Sequence, residues 1–448
     1  MAYFNPEIET LDRGDLNALV DERIAYTVRY AAEHSPFYRR MFEKEGIDPG
    51  SIREHEDLLA LPLISGETIR ENQPPVTGEF GFLSVDWNRI FTIHETSGTS
   101  GTPKAFFLTW ADWLRYAEKY SRIFVSQGFS ADDRVVVCAS YGMNVGANTM
   151  TLAARNVGFS VIPAGRCTFP PRVITSFRPT AIVGSVFKLL RLARRLRDMG
   201  IDPAASGIRR LVVGGESFAA ESRAYLAEVW GIDVYNTYGS TEGTMCGECT
   251  DISGLHVPED LVHMDLYDPA THGFVQDGEC GRIVLTTLVP VGDHAGMVLI
   301  NYDTEDTTVV LSRERCACGR MHMKILNPQR ETETFWMAGV PVNRVDIERA
   351  VFQRPSMEYL TGEYEAFLYG GEEEGATTLR VSLECEDASQ CDRELVEESF
   401  LKSFFAGKRP LFDQYNDGTF EVVFHFTDPG GLELYRVQGR PKRFIDRR

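Results

Sequence analysis

Glu95-Thr96-Ser97-Gly98-Thr99-Ser100-Gly101-Thr102-Pro103-Lys104 is a hydroxyl- and glycine-rich stretch that ends in a lysine. Glycine lets the main chain approach an anion closely, so hydroxyls and backbone N–H groups can line a polyphosphate. Much further along, Asn236-Thr237-Tyr238-Gly239-Ser240-Thr241-Glu242 supplies a flat ring, small polar neighbours and a carboxylate able to hold Mg²⁺. Together the two stretches point to an enzyme that binds ATP. The first is not a Walker loop, because the G-x-x-x-x-G-K spacing is absent. By itself such a stretch is more often a surface turn.

The surroundings of these stretches set the expected fold. Asp15-Leu16-Asn17-Ala18-Leu19-Val20 opens an amphipathic helical stretch to about Phe42, with a break at Pro36. From Arg134 the pattern alternates. Val135–Cys138, Ser160–Ile162, Ala181–Val183 and Leu211–Val213 read as short buried strands. Helical segments such as Val145–Val157 and Phe187–Met199 lie between them. Such alternation predicts a parallel sheet built from βαβ units, with the motif loops just past strand ends, where ligands bind in such sheets. Met264–Tyr267, Arg282–Leu285 and Met297–Tyr302 read as further β segments. Beyond Arg330 a smaller α+β unit follows, with helices at Val345–Phe352 and Asp392–Phe405 and strands at Glu365–Tyr369, Thr378–Leu383 and Phe420–Phe426. The expected domains are 1–329 and 330–448, with a hinge at Asn327 to Glu333.

Composition removes several function classes. The 448 residues carry a formal charge of −19, which argues against a nucleic-acid binder needing a basic surface. An acidic surface also repels ATP, so a phosphate site must be locally positive or rich in N–H donors. The basic segment Arg436–Arg448 is the main exception to this balance. No apolar run approaches about 18 residues, and Met1–Asp12 lacks the pattern of a signal peptide, so a cytoplasmic protein without a membrane span is expected. Nine cysteines without such a signal are not a disulfide framework.

Three more features join the opening pair. Gly214-Gly215-Glu216 ends an apolar strand, Tyr238–Glu242 ends the next, and Asn301-Tyr302-Asp303-Thr304-Glu305-Asp306 follows at a later turn. In this order the set resembles the acyl-adenylate-forming ligases. It is most similar to the phenylacetate–coenzyme A ligase branch, through Ser35-Pro36-Phe37-Tyr38-Arg39-Arg40, Gly46-Ile47-Asp48-Pro49 and Gly254-Leu255-His256-x-x-Glu259-Asp260. The resemblance spans nearly the whole chain. It implies an α/β fold: a large N-terminal adenylate-forming domain with parallel sheets and a β-rich subdomain, then a small α+β C-terminal lid. The implied reaction joins a small carboxylic acid, aromatic by resemblance, to AMP with release of pyrophosphate, then transfers it to coenzyme A.

Carried over residue by residue, the resemblance implies that Thr96, Ser97, Gly98, Thr99, Ser100, Gly101 and Lys104 wrap the ATP phosphates. Tyr238 would stack on adenine beside Gly215, Glu216 and Asn236, with Thr237, Gly239, Ser240 and Thr241 in the same turn. Asp306 would accept both ribose hydroxyls, Arg330 would lie near the ribose, and Glu242 would hold Mg²⁺. Tyr141-Gly142-Met143-Asn144-Val145-Gly146-Ala147 is the candidate acyl wall, with Gly142, Gly146 and Ala147 leaving room for a ring that Tyr141 and Met143 would flank; a bland loop-to-helix junction fits nearly as well. A homodimer is a further expectation, without a motif of its own.

Cys249, His256, Cys316 and Cys318 form Cys-x6-His and Cys-x-Cys, three thiolates and an imidazole that suit a closed tetrahedral Zn²⁺. Some members of the resembled branch carry a structural metal at matching positions. Cys246 is an alternative ligand to Cys249.

Two segments depart from the family pattern. Where the family has Gly-Lys-Ala, with a lysine bridging carboxylate and α-phosphate, this chain has Gly439-Arg440-Pro441-Lys442. That places Arg440 at the lysine position and leaves Lys442 as a substitute; arginine is not equivalent to lysine there. Gly-Arg-x-Asp-Asp becomes Gln329-Arg330-Glu331-Thr332-Glu333. These changes keep two alternatives open, transfer to an amine or carrier and a nucleotide-binding pseudoenzyme.

Overall fold

A computed structural model describes residues 2–96, 102–165, 171–370, 376–437 and 440–448. Ser97, Gly98, Thr99, Ser100 and Gly101 of the opening stretch lie outside the described residues, as does the side chain of Arg440. Packing divides the chain into two units that interleave along the sequence. One comprises Met1–Gly184, Gly207–Gly215 and Tyr235–Gln329; the other comprises Ser185–Ser206, Glu216–Val234 and Arg330–Arg448.

In the first unit, the helix Arg13–His34 starts where the Asp12 carboxylate accepts from the Asp15 N–H. It stops at Ser35, which caps the next helix, Pro36–Glu45, with proline at its first turn. Leu16, Val20, Ile24 and Val28 pack into one apolar cluster with Leu288, Val298, Leu299 and Ile300. The unit's main element is a 13-stranded sheet with two characters. Ser160–Ile162, Arg134–Val137, Ala181–Gly184 and Arg210–Gly214 are parallel and neighbour one another in that order. The chain runs outward from Arg134–Val137 to one side and then to the other, so the order reverses beside that strand's C-terminal end. Past Val234–Gly239 the ladder turns antiparallel, through Met245–Gly247 and Leu255–His256 to Tyr302–Ser312, Cys280–Thr287 and Val262–Asp268.

The α/β architecture expected from the alternation is therefore present, with one local difference. Met297–Tyr302 is not a β segment: Met297 makes an isolated bridge to Leu83, and the strand begins only at Tyr302. The apolar run of Val298, Leu299 and Ile300 reflects burial under the N-terminal helices rather than a ladder. Likewise Asp306 lies inside the strand Tyr302–Ser312 and not at a turn. The turn is at Asn301, whose backbone has φ of 50° and whose amide donates to the carbonyls of Leu58 and Leu61.

The second unit holds a four-stranded sheet ordered Phe420–Thr427, Thr377–Cys385, Leu360–Tyr369 and Phe444–Asp446. Helices Val186–Asp198 and Ala220–Trp230 belong to this unit although they come from the βαβ part of the sequence. Phe187 shows why: its ring lies under the Arg443 guanidinium at 3.6 Å and beside Tyr364 at 5.9 Å. Arg443 is in turn held by Glu363 at 2.7 Å. Among the described residues no helix is long and apolar enough to cross a membrane.

Candidate active site

The first unit brings most of the sequence candidates to the C-terminal ends of the parallel strands and the junction with the antiparallel ladder. The strand Ile90–Glu95 pairs antiparallel with Ala105–Thr109, placing Glu95 opposite Ala105. Thr96 and Lys104 close the base of the segment between them: the Thr96 N–H donates to the Lys104 carbonyl at 3.1 Å, and the Lys104 N–H donates to Thr96 Oγ1 at 3.1 Å. Arg70 Nε donates to the Thr102 carbonyl at 3.0 Å and Gln73 Nε2 to the Pro103 carbonyl at 2.7 Å. These anchors hold the end of the phosphate stretch from the Gly66–Glu71 helix and the residues after it.

Lys104, Glu242 and Tyr302 converge from three distant segments. The Lys104 ammonium lies 2.8 Å from Glu242 Oε1, and both side chains are nearly nine-tenths buried, at 12% and 11% exposure. It also hydrogen-bonds the Tyr302 hydroxyl, which stands 3.4 Å from the same carboxylate. A cation and an anion thus meet with a hydroxyl in a largely buried cluster, and each can form charge-assisted hydrogen bonds.

Tyr238 and Asp306 form a second convergence. The Tyr238 hydroxyl donates to Asp306 Oδ2 at 2.6 Å, and Thr304 Oγ1 accepts from the Asp306 N–H. Asn236 is buried in the same strand as Tyr238; its N–H donates to Glu248 Oε2 at 2.7 Å and its side-chain amide to Asn327 at 2.9 Å. Thr237 Oγ1 reaches the Val213 carbonyl at 3.3 Å. Gly214 is required here by close approach, since a Cβ at that position would sit 2.5 Å from the Thr237 carbonyl oxygen. Gly215 follows it with φ of 80°. Gly239 and Ser240 continue the turn, the Ser240 N–H donating to the Thr244 carbonyl at 2.9 Å, and Thr241 leads to Glu242.

Tyr141, Gly142, Met143 and Gly146 leave the end of the strand Arg134–Val137, beside the reversal of strand order. Such reversals open a crevice in parallel sheets. The Tyr141 hydroxyl bonds Thr151 Oγ1 at 3.1 Å, Met143 is half exposed, and the Met143 carbonyl faces His94 Nδ1 at 3.0 Å.

The remaining candidates belong to the second unit. Glu216 lies 3.5 Å from Arg344. Arg330 is exposed, in the short strand Gln329–Arg330. Lys442 makes a 2.6 Å ion pair with Glu333; burial pushes that carboxyl up, but the ammonium outweighs it and holds it below its ordinary value. Arg440 lies in a two-residue strand paired with Arg436–Val437.

The Cys/His set is assembled within the first unit. Ligand atoms of Cys249, His256, Cys316 and Cys318 all lie within 4.8 Å of one another, and all four residues are buried. Tetrahedral zinc, with bonds of about 2.3 Å to sulfur and about 2.0–2.1 Å to nitrogen, spaces two sulfurs by about 3.8 Å and a sulfur and nitrogen by about 3.5 Å. Cys249 Sγ and Cys316 Sγ are 3.8 Å apart, and Cys318 Sγ and His256 Nε2 are 3.5 Å apart. The His256 Nδ1–H donates to the His322 carbonyl at 3.1 Å, which leaves Nε2 as the donor atom for a metal. Charge competition within the set points the same way. The Cys249 thiol is pushed far up by its bond to Cys318 and by burial, whereas Cys318 is pulled down by Cys249 and His256. Burial disfavours the His256 imidazolium, yet Cys316 and Cys318 raise it to about 9. A divalent cation would resolve this competition by taking all three sulfurs as thiolates. Cys246 is not part of the set; it packs with Leu255 and Val257 in an apolar cluster.

Sequence reasoning assigned no role to Tyr302, Arg70 or Gln73. Tyr302 stood inside a motif already singled out, but nothing in the sequence tied its hydroxyl to Lys104.

Residues 40–288 match the model of the AMP-binding enzyme family. The chain is 30% identical over 362 residues to the phenylacetate-coenzyme A ligase of Thermus thermophilus, covering 79% of each chain. It is 27% identical over 451 residues to the phenylacetate-coenzyme A ligase of Aromatoleum evansii, covering 98% of this chain and 96% of the relative. Its fold is similar to that of a solved 2-hydroxyisobutyryl-CoA ligase in complex with 2-HIB-AMP. That match has a TM-score of 0.80 at 23% identity, over 99% of this chain and 92% of that one.

Proposed function

This chain belongs to the AMP-binding enzyme family, and on that premise we propose that it activates a small aromatic carboxylic acid with ATP and passes the acyl group to coenzyme A. The observation that carries the reading is the meeting of Lys104, Glu242 and Tyr302 beside the Tyr238–Asp306 pair at the ends of the parallel strands.

In the first step a carboxylate oxygen of the acid attacks the α-phosphorus. The bond from that phosphorus to the bridging oxygen breaks, and pyrophosphate leaves with the electron pair. Negative charge builds on the α-phosphoryl oxygens, so catalysis is mainly positioning and electrostatic. Thr96 to Lys104 takes the phosphates, with Lys104 exchanging Glu242 for a phosphate oxygen. Mg²⁺, held by Glu242, would supply charge neutralisation. Tyr238 stacks on adenine near Gly215, Glu216 and Asn236, while Asp306 accepts the ribose hydroxyls and Arg330 lies nearby. Arg440 or Lys442 supplies the cation at the α-phosphate, and Tyr141, Gly142, Met143 and Gly146 line the acid. In the second step the coenzyme A sulfur attacks the acyl carbonyl carbon and AMP leaves. Residues 1–329 act as the adenylation domain and 330–448 as the lid. Cys249, His256, Cys316 and Cys318 would hold a structural Zn²⁺, filling the four positions that zinc takes in such sites. A cytoplasmic homodimer is part of the same reading.

The altered Gly439-Arg440-Pro441-Lys442 segment favours a second reading, in which the same adenylate is passed to an amine or a carrier. ATP–pyrophosphate exchange across a panel of aryl acids tests the first step. Exchange with at least one acid is expected, and none with any acid would leave a nucleotide-binding protein without turnover. AMP release with coenzyme A, compared with candidate amines, separates the two acceptors.

A further inference from the structure

The helix Trp110–Ser126 carries a buried basic stripe: Arg115, Lys119 and Arg122 all face inward. The outer two are matched by carboxylates, Arg115 by Asp112 and Asp293, Arg122 by Glu118 and Asp260. Lys119, between them, is 4% exposed and has no carboxylate partner at ion-pair distance among the described residues. Its ammonium instead donates to the Gly243 carbonyl at 2.6 Å, the residue directly after Glu242, and lies 5.2 Å from the Tyr116 ring centre. The same Tyr116 hydroxyl sits 2.6 Å from where a Cβ on residue 243 would stand, and Gly243 has φ of 100°, so only glycine fits. One face of one helix thus meets the turn through two side chains.

We propose that Lys119 is a positioning residue, whose ammonium clamps the Gly243 carbonyl and thereby sets the direction in which the Glu242 carboxylate points. The proposal rests on the reading of Glu242 as the group that faces the metal–phosphate end of ATP. An unpaired buried ammonium is costly, and an apolar side chain of similar volume usually serves packing as well or better. The Lys119 ammonium bonds the Gly243 carbonyl, a contact that no apolar side chain can make. Around it stand Arg115 and Arg122 on its own helix, Asp260 and Cys246 on other elements, and, across a cavity of about 30 Å³, Glu9, Arg320, His256 and His322. Burial, reinforced by Arg115, brings the Lys119 ammonium down to about 7, consistent with the missing anion.

The test compares Lys119→Met, Lys119→Gln and Glu242→Gln in the full-length protein by thermal melting and by ATP–pyrophosphate exchange at varied MgATP and acid. Lys119→Met should melt close to the wild type, lose exchange turnover by about tenfold or more, raise KM for MgATP and leave KM for the acid unchanged. Lys119→Gln keeps a donor for the carbonyl and should retain more exchange than Lys119→Met; it also serves if the methionine variant does not fold. The double variant Lys119→Met/Glu242→Gln should lose little beyond Glu242→Gln, since both act through one carboxylate. Wild-type exchange in Lys119→Met, equal effects on both substrates with a lowered melting point, or additive losses in the double variant would each overturn the clamp. Wild-type exchange in Glu242→Gln would instead remove the underlying role of Glu242, and the clamp with it.

Discussion

Glu242 and Lys104 neutralise each other at 2.8 Å with both side chains largely buried, so a neutral amide at 242 leaves the ammonium without its counter-charge. Glu242→Gln is therefore expected to lower the melting temperature and, assayed below it, to lower ATP–pyrophosphate exchange on the order of 100-fold, with a higher Mg²⁺ requirement. Asp306 presents a side-chain oxygen that already accepts from the Tyr238 hydroxyl. Asp306→Asn should weaken AMP binding by roughly 10- to 100-fold, the value of one or two hydrogen bonds to a charged group, as read by calorimetry. Tyr238, Glu242 and Asp306 were legible because each sits in a short motif with distinctive chemistry. Tyr302 and Lys119 were not, because their partners lie far away in the chain and only tertiary packing brings them together. The Arg115, Lys119 and Arg122 stripe follows helical spacing, yet charges on a helix usually mark its solvated face, so the pattern alone misleads.

Individual elements follow the sequence where local rules suffice. Pro36 divides the N-terminal helices because Ser35 can cap and proline can start a helix. The short apolar runs Val135–Val137, Ala181–Val183 and Leu211–Val213 became parallel strands because their residues are buried on both faces. The run at Met297–Tyr302 has the same composition but ends against helices, and periodicity cannot distinguish those fates. Helix Arg409–Asp417 escaped notice since Leu411 is its only buried residue. The Cys/His set is an element-scale device as well, tying the segment after Met245–Gly247 to the turn at Cys316–Cys318. Purified protein never exposed to chelator should contain about one zinc per chain. Cys318→Ser should abolish that content and cost on the order of 3–5 kcal/mol of stability. Wild-type stability in a zinc-free variant would remove the structural role.

At the scale of the whole molecule, a chain of charge −19 uses some buried cations to hold distant segments together. Asp260 is 1% exposed and takes both Arg122 nitrogens, at 2.7 and 3.0 Å, while Arg23 reaches it from the N-terminal helix. Burial opposes its ionisation, but Arg122 outweighs burial and brings the carboxyl down to about 2 from an ordinary 3.8. A depressed carboxyl stabilises the fold above its unfolded value and loses that contribution as pH falls through its folded one, here from about pH 4 to about pH 2. Asp260→Asn leaves Arg122 with a buried, half-matched charge and should cost about 3–5 kcal/mol at neutral pH. Denaturant titrations should show the gap to wild type narrowing as pH falls through that window. A pH-independent gap would assign the loss to packing instead.

The whole molecule also decides the chemistry, since the acid, the nucleotide and the acceptor must meet on one chain. Incubation of folded, metal-replete protein with ATP, Mg²⁺ and a panel of aryl acids, without coenzyme A, followed by mass spectrometry of the released ligand, tests this most directly. An ion with the mass of an acyl-adenylate, formed with one pyrophosphate per adenylate, is predicted for at least one acid. Intact ATP and unmodified acid in every reaction would contradict it.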